Sequence, residues 1–375
     1  MVLELTSRLA FIDSFPIQVQ IRVFLHDNSY MADINADWSN WHRFRIGIKP
    51  HDLEELNSEL QQAIEEVSCS FEKDGIRSDA LAKLAQTGSF AFKRIFSESA
   101  PREIVNKVLK MRATIQFSSE DFFIPWELLY DGPLGAQTDV SHFWGMRHVV
   151  SRALIQDARP GDLDSPIIQS ACPHVGLIAC NDLEYVIGEE IPALQELHRQ
   201  NRILLFPLRP LNANKRDEEL EYLGSFLNDE ALQIIHFACH ALQTKPISKS
   251  YLLVSDEFSI SIEDFIVREF EIKHKPLVIL NACITGTMSP LYTSNWAALF
   301  WEHGARGVLA TEFHVPDWFA AAFTKELYDH LLLGKPIGEA LLATRHYFWE
   351  KEHNPLGLAY ALYSSPAIRI ANSIK

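Results

Sequence analysis

The feature that most constrains this chain lies in its second half, where short apolar strands and helices alternate in regular order. His174–Cys180, Ile203–Phe206, Leu232–Ala238, Leu277–Ala282 and Arg306–Thr311 read as strands. The helices fall between them, at about Leu183–Gln200, Arg216–Leu227 and Asn295–His303. Gly304 is placed as a left-handed cap, Pro316 opens a long helix that ends at Gly334, and Pro336 opens another. Continuous apolar strands separated by helices predict a mostly parallel sheet with helices on both faces. In such sheets the reacting groups gather beyond the carboxyl ends of the strands.

The first ~155 residues follow a different grammar, that of a smaller mixed α/β domain. Ile17–Val23 and Arg43–Lys49 alternate with period two and predict half-buried antiparallel strands. A helix follows with Asp52 as its N-cap and Leu53, Leu56, Leu60, Ala63, Ile64 and Val67 on one face. Further helices are expected after Ser78 and Pro101, and a strand over Arg112–Phe117. The stretch 156–173 (QDARPGDLDSPIIQSACP) is the expected linker, so the domains read as 1–155 and 174–375. A length of 375 residues suits two cores rather than one.

Charge narrows the function. Thirty-four basic against 49 acidic residues give a net charge of −15, which argues against a nucleic-acid backbone as main ligand. No run of 18 apolar residues occurs, so no membrane span is expected. Glu4, Arg8 and Asp13 interrupt what would have to be the core of a signal peptide. The five cysteines (Cys69, Cys172, Cys180, Cys239, Cys283) follow no disulfide spacing and suit a reducing cytoplasm.

Two strands finish on reactive side chains. Residues 234–241 read IIHFACHA and deliver His240; residues 278–286 read VILNACITG and deliver Cys283, with Gly286 behind it. If these strands are neighbours, a thiol and an imidazole meet on the catalytic edge, as nucleophilic catalysis requires. A zinc site is not expected: His236 and His240 share a strand face, Cys239 points the other way, and no second Cys/His pair stands at finger spacing. No glycine-rich phosphate loop occurs, and no cofactor is expected.

HFACH, some forty residues, then LNACxTG resembles the CHAT proteases, the prokaryotic branch of the caspase/separase-like cysteine peptidases. Gly304–Thr311, Val315–Asp317, Gly338–Ala340, a final strand near Tyr360–Tyr363, and upstream Ile124–Leu129 and Trp144–Arg152 extend the resemblance over roughly residues 115–375. The resemblance implies His240 as general base, Cys283 as nucleophile, and backbone N–H groups of Cys283 and Ala241 as the oxyanion hole. Ala241 departs from the family's usual glycine, which bears on the aim of that donor. Asn281 shares a face with Cys283 by strand alternation, and the family places this position beside the pocket for the residue before the scissile bond. Glu312 and Asp317 are the acidic candidates for the same pocket. The implied activity is selective cleavage of a protein target, regulated by a protein partner, in a defence or cell-death module. The alternative is a fold-sharing binding or signalling module with weak or no catalysis.

Overall fold

The computed structural model describes residues 18–36, 40–72, 75–76, 78–109, 111–135, 137–154, 165–255, 257–284 and 290–371. The chain divides into two compact units, residues 1–168 with 335–369 and residues 169–334 with 370–375.

In the first unit, β1 (Val19–His26) and β2 (Ser29–Ala36) form an antiparallel hairpin. Its turn residues Asp27 and Asn28 have φ of +46° and +57°, the left-handed geometry of a two-residue hairpin turn. Strand β3 (His42–Arg45) adds antiparallel to β2. Helix α1 (Pro50–Cys69) buries Leu56, Leu60, Ala63, Ile64 and Val67 as the spacing predicts. Its N-cap is Lys49 rather than Asp52, because Pro50 takes the first helical position. Asp52 lies in the first turn and accepts a hydrogen bond from Arg94 at 2.9 Å. Helices α2 (Ser78–Ile95) and α3 (Ser99–Leu109) follow. Strand β4 (Thr114–Ser119) then pairs parallel with β1 and with β5 (Val149–Leu154), giving the order β3-β2-β1-β4-β5. Thus β1 is antiparallel to one neighbour and parallel to the other. Strands β2 and β5 are not singled out by the sequence reading.

The second unit holds the parallel sheet. Strand β6 (His174–Ala179) leads through a π-helical turn (Val186–Glu190) into α4 (Ile191–Arg199). Strand β7 (Leu204–Pro207) and α5 (Arg216–Leu227) precede the central β8 (Ile234–Leu242). A hairpin, β9 (Tyr251–Ser255) and β10 (Phe258–Ser261), and the short helix α6 (Ile262–Val267) come next; none of these was expected. Then follow β11 (Leu277–Ile284), α7 (Pro290–Glu302), β12 (Gly307–Thr311) and α8 (Asp317–Leu332). Strands run in the order β7-β6-β8-β11-β12, each pair parallel. Consecutive residues of β8 show both faces covered: His236 meets Tyr328 of α8, while Phe237 packs on Phe300 of α7 at 5.3 Å. Gly304, at φ +124°, ends α7 as expected; a Cβ there would stand 2.1 Å from the Ile272 carbonyl oxygen.

Residues 335–369 carry α9 (Ile337–Glu352) and β13 (Tyr360–Tyr363). The sequence reading groups them with 174–375, yet they cluster with the first unit. The buried Arg345 explains this, because its guanidinium donates to the carbonyls of Gly145, Gly357 and Tyr360 at 2.8, 3.0 and 2.6 Å. Arg112 and Glu339 form a further ion pair in this unit. Of the expected linker, 156–164 lies outside the described residues and Ile167–Gln169 is a short strand.

Candidate active site

Strand register builds the site. Strands β8 and β11 are parallel neighbours, and His240 stands opposite Cys283. Both residues lie near the carboxyl ends of their strands, the edge where such sheets collect reacting groups. Gly286, the glycine expected behind the cysteine, lies outside the described residues. Strand β8 runs four residues past the expected Ala238 because β9 pairs with its end: His240 with Leu253, Ala241 with Leu252, Leu242 with Tyr251. Ala241 is therefore a buried strand residue, and it is not among the residues with positive φ. Alanine adopts that backbone freely, so the conformational ground for requiring glycine is absent here.

The imidazole of His240 has two unlike environments. Its Nε2 lies 3.3 Å from Oδ1 of Asp182, a half-exposed carboxylate. Its Nδ1 is buried and has no hydrogen-bond partner among the described residues. Asp182 comes from the turn that follows β6, the other parallel neighbour of β8. The sequence reading missed it, although the rule that picks out His240 and Cys283 applies equally to the residues just beyond Cys180.

Deeper in the same unit a polar cluster joins both strands to the helices. Glu190, the last residue of the π turn, is fully buried. Its Oε1 accepts from His236 Nε2 at 2.8 Å, Asn281 Nδ2 at 2.7 Å and Thr324 Oγ1 at 2.8 Å. Its Oε2 has no partner among the described residues. The Tyr328 hydroxyl lies 3.4 Å from His236 Nδ1, and burial followed by the nearby Glu190 charge pushes its pKa well above the usual phenol value.

This cluster corrects the placement of Asn281 beside a substrate pocket. The side chain is 3% exposed, and its amide nitrogen also approaches Thr324 Oγ1 at 3.0 Å and the Ala320 carbonyl at 3.3 Å. An interior carboxylate claims its donor, and the described residues leave its side chain buried. The sequence showed the strand parity of Asn281, but not the helix that covers it. Glu312, directly after β12, is buried as well. Asp317 opens α8, where its Oδ1 accepts the Trp318 N–H at 2.9 Å, a favourable place for an acid at a helix N-terminus.

Cys180 and Cys239 are buried and Cys69 is exposed. Among the described residues no group of His, Cys, Asp or Glu is arranged to hold a metal ion. No described helix is long and apolar enough to cross a membrane.

Comparison with solved structures places this architecture beside separase. The Saccharomyces cerevisiae separase–securin complex matches at 11% identity and a TM-score of 0.54, over 94% of this chain and 30% of that one. A second structure of the same complex matches at 10% identity and a TM-score of 0.49, over 95% of this chain and 30% of that one. The Drosophila initiator caspase Dronc matches at 10% identity and a TM-score of 0.33, over 54% of this chain and 84% of that one. The chain thus spans about a third of the length of the separase chains it matches. No curated protein matches the sequence significantly. The CHAT domain family model matches residues 100–367, well over half of the chain. A separase-like α/β fold and a family match of that extent agree, and the chain belongs to the CHAT domain family.

Proposed function

We propose that this chain is a cysteine endopeptidase in which Cys283 is the nucleophile and His240 the general base. The observation that carries the reading is the register of His240 opposite Cys283 on adjacent parallel strands. The imidazole takes the thiol proton, and the sulfur keeps the electron pair and attacks a peptide carbonyl carbon. The C–N bond breaks as the imidazolium returns the proton to the departing amine. Water, with its proton drawn off by His240, then releases the acid and restores the thiol. Backbone N–H groups of Cys283 and Ala241 are the proposed oxyanion donors, each such donor being worth about 2.7–4 kcal/mol in well-studied hydrolases.

The proposed substrate is a protein cut at few sites, and the proposed setting is a prokaryotic defence or cell-death module in the cytoplasm. Residues 1–155 are proposed to receive an activating protein partner. Asp317, half-buried at the start of α8, remains the acidic residue proposed for the substrate pocket, whereas Glu312 is as buried as Asn281 and is not proposed for it. The second reading, a binding or signalling module with weak or no catalysis, rests on Ala241 standing where the family usually has glycine.

The test is cleavage of a proteome-derived peptide library, read as new N-termini. Cys283→Ala and His240→Ala should each lower cleavage by at least about a hundredfold, and Cys239→Ala should retain it. A Cys283→Ala protein that cleaves at the wild-type rate would refute the mechanism.

A further inference from the structure

Three adjacent parallel strands, β6, β8 and β11, bring an acid, a base and a thiol to their carboxyl ends in spatial order: Asp182 in the turn after β6, His240 near the end of β8 and Cys283 next to the last residue of β11. We propose that Asp182 is a positioning residue that sets the His240 ring so that Nδ1 is the nitrogen taking the thiol proton. This rests on the reading of His240 and Cys283 as the reacting pair.

A neutral imidazole carries one N–H and one lone pair, and a carboxylate only accepts. With Nε2 lying 3.3 Å from Asp182 Oδ1, the favoured tautomer has its proton on Nε2. The lone pair then belongs to Nδ1, the buried nitrogen without a partner among the described residues. A buried acceptor left in that state is costly unless a donor arrives, and a thiol at the strand end in register with His240 is such a donor. When the S–H bond breaks, the proton moves to Nδ1 and the electron pair stays on sulfur. The imidazolium then holds protons on both nitrogens, with the Asp182 carboxylate beside its Nε2. Each end of the ring has one task, and Asp182 decides which end performs which. Because Asp182 is half exposed, water screens it and the effect is graded.

The experiment is carbamidomethylation of the full-length protein by iodoacetamide, followed by mass spectrometry at Cys283, with the exposed Cys69 as internal reference. Asp182→Ala should slow Cys283 about tenfold and leave Cys69 unchanged. Asp182→Asn, which keeps an accepting oxygen, should recover most of the rate. Nitrogen-15 spectra of the histidine rings should show His240 protonated on Nε2 in the wild type and in Asp182→Asn, with that preference lost in Asp182→Ala. An unchanged Cys283 rate and unchanged tautomer in Asp182→Ala would overturn the proposal, as would a wild-type ring protonated on Nδ1. His240→Ala separates the two ideas. If it slows Cys283 while Asp182→Ala does not, only the role of Asp182 fails; if His240→Ala reacts at the wild-type rate, the Cys–His reading fails and this proposal with it.

Discussion

Among the described residues, Glu127 of the first unit and Glu190 of the second are carboxylates with no exposure at all, and the two are kept in different company. In the first unit Glu127 receives two hydrogen bonds from Arg152, at 2.8 and 2.6 Å, with the Arg345 guanidinium 3.6 Å away. In the second unit Glu190 has His236, Asn281 and Thr324, and no Arg or Lys among the described residues pairs with it. Guanidinium forks satisfy a buried carboxylate with charge and geometry together. They also make it indispensable, because losing the acid strands the cations. A shell of His, Asn and Thr donors holds its acid without a guanidinium or ammonium at stake, and here it ties together the strands that carry His240 and Cys283. Glu127 is therefore a clamp on the fold, and Glu190 a tie beneath the site.

The contrast predicts a graded series. Glu127→Gln should cost about 3–5 kcal/mol, since two buried guanidiniums lose their counter-charge; denaturant titration of the first unit's transition reads it. Asn281→Asp comes next. It replaces the donor facing Glu190 with a second acid, and the mutual repulsion and lost hydrogen bonds should cost about 2–3 kcal/mol. This variant should not gain a preference for basic substrates, because the side chain is interior.

The buried histidines extend the comparison. His236 has a carboxylate partner, whereas His148 accepts the Ala113 N–H at 3.1 Å and pairs with no acid among the described residues. Burial first, then Arg147 and Arg112, lower the His148 pKa from 6.5 to about 3. The unfolded chain therefore binds a proton that the native state refuses. The stability from this group is complete above about pH 6.5 and declines toward pH 3 at roughly 1.4 kcal/mol per pH unit. Thermal or urea unfolding across that range checks the slope, and His148→Asn should flatten it. The smallest effect belongs to Glu190→Gln, at about 1 kcal/mol or less, because no Arg or Lys among the described residues pairs with it and the Gln oxygen still accepts from the same donors. Equal costs for Glu127→Gln and Glu190→Gln would break the comparison.

Much of this was legible in the sequence, and the exceptions have physical causes. Period-two and continuous apolar runs gave β1, β3 and β4 of the first sheet and the five parallel strands of the second, and they put His240 and Cys283 at strand ends that prove to be neighbours. The motifs around Trp126 and Trp144 were visible too, but their purpose was not: they place Glu127 and Arg152 for a buried pair 25 residues apart in the chain. Long-range pairing carries no local periodicity. Asn281 failed for the same reason, since parity fixes a strand face while the covering helix α8 lies some 40 residues further on. The β9–β10 hairpin was missed, and with it the length of β8 that makes Ala241 a strand residue. Asp182 was within reach, one turn past a strand already recognised.

The central claim is that Cys283 is activated by His240. Labelling the full-length protein with a peptidyl acyloxymethyl ketone, which alkylates activated thiolates, tests it most directly by intact mass and peptide mapping. The account predicts a single adduct, on Cys283, that disappears in Cys283→Ala and falls at least about tenfold in His240→Ala. Adducts spread over Cys69 and Cys172, or a Cys283 adduct formed equally well without His240, would contradict it.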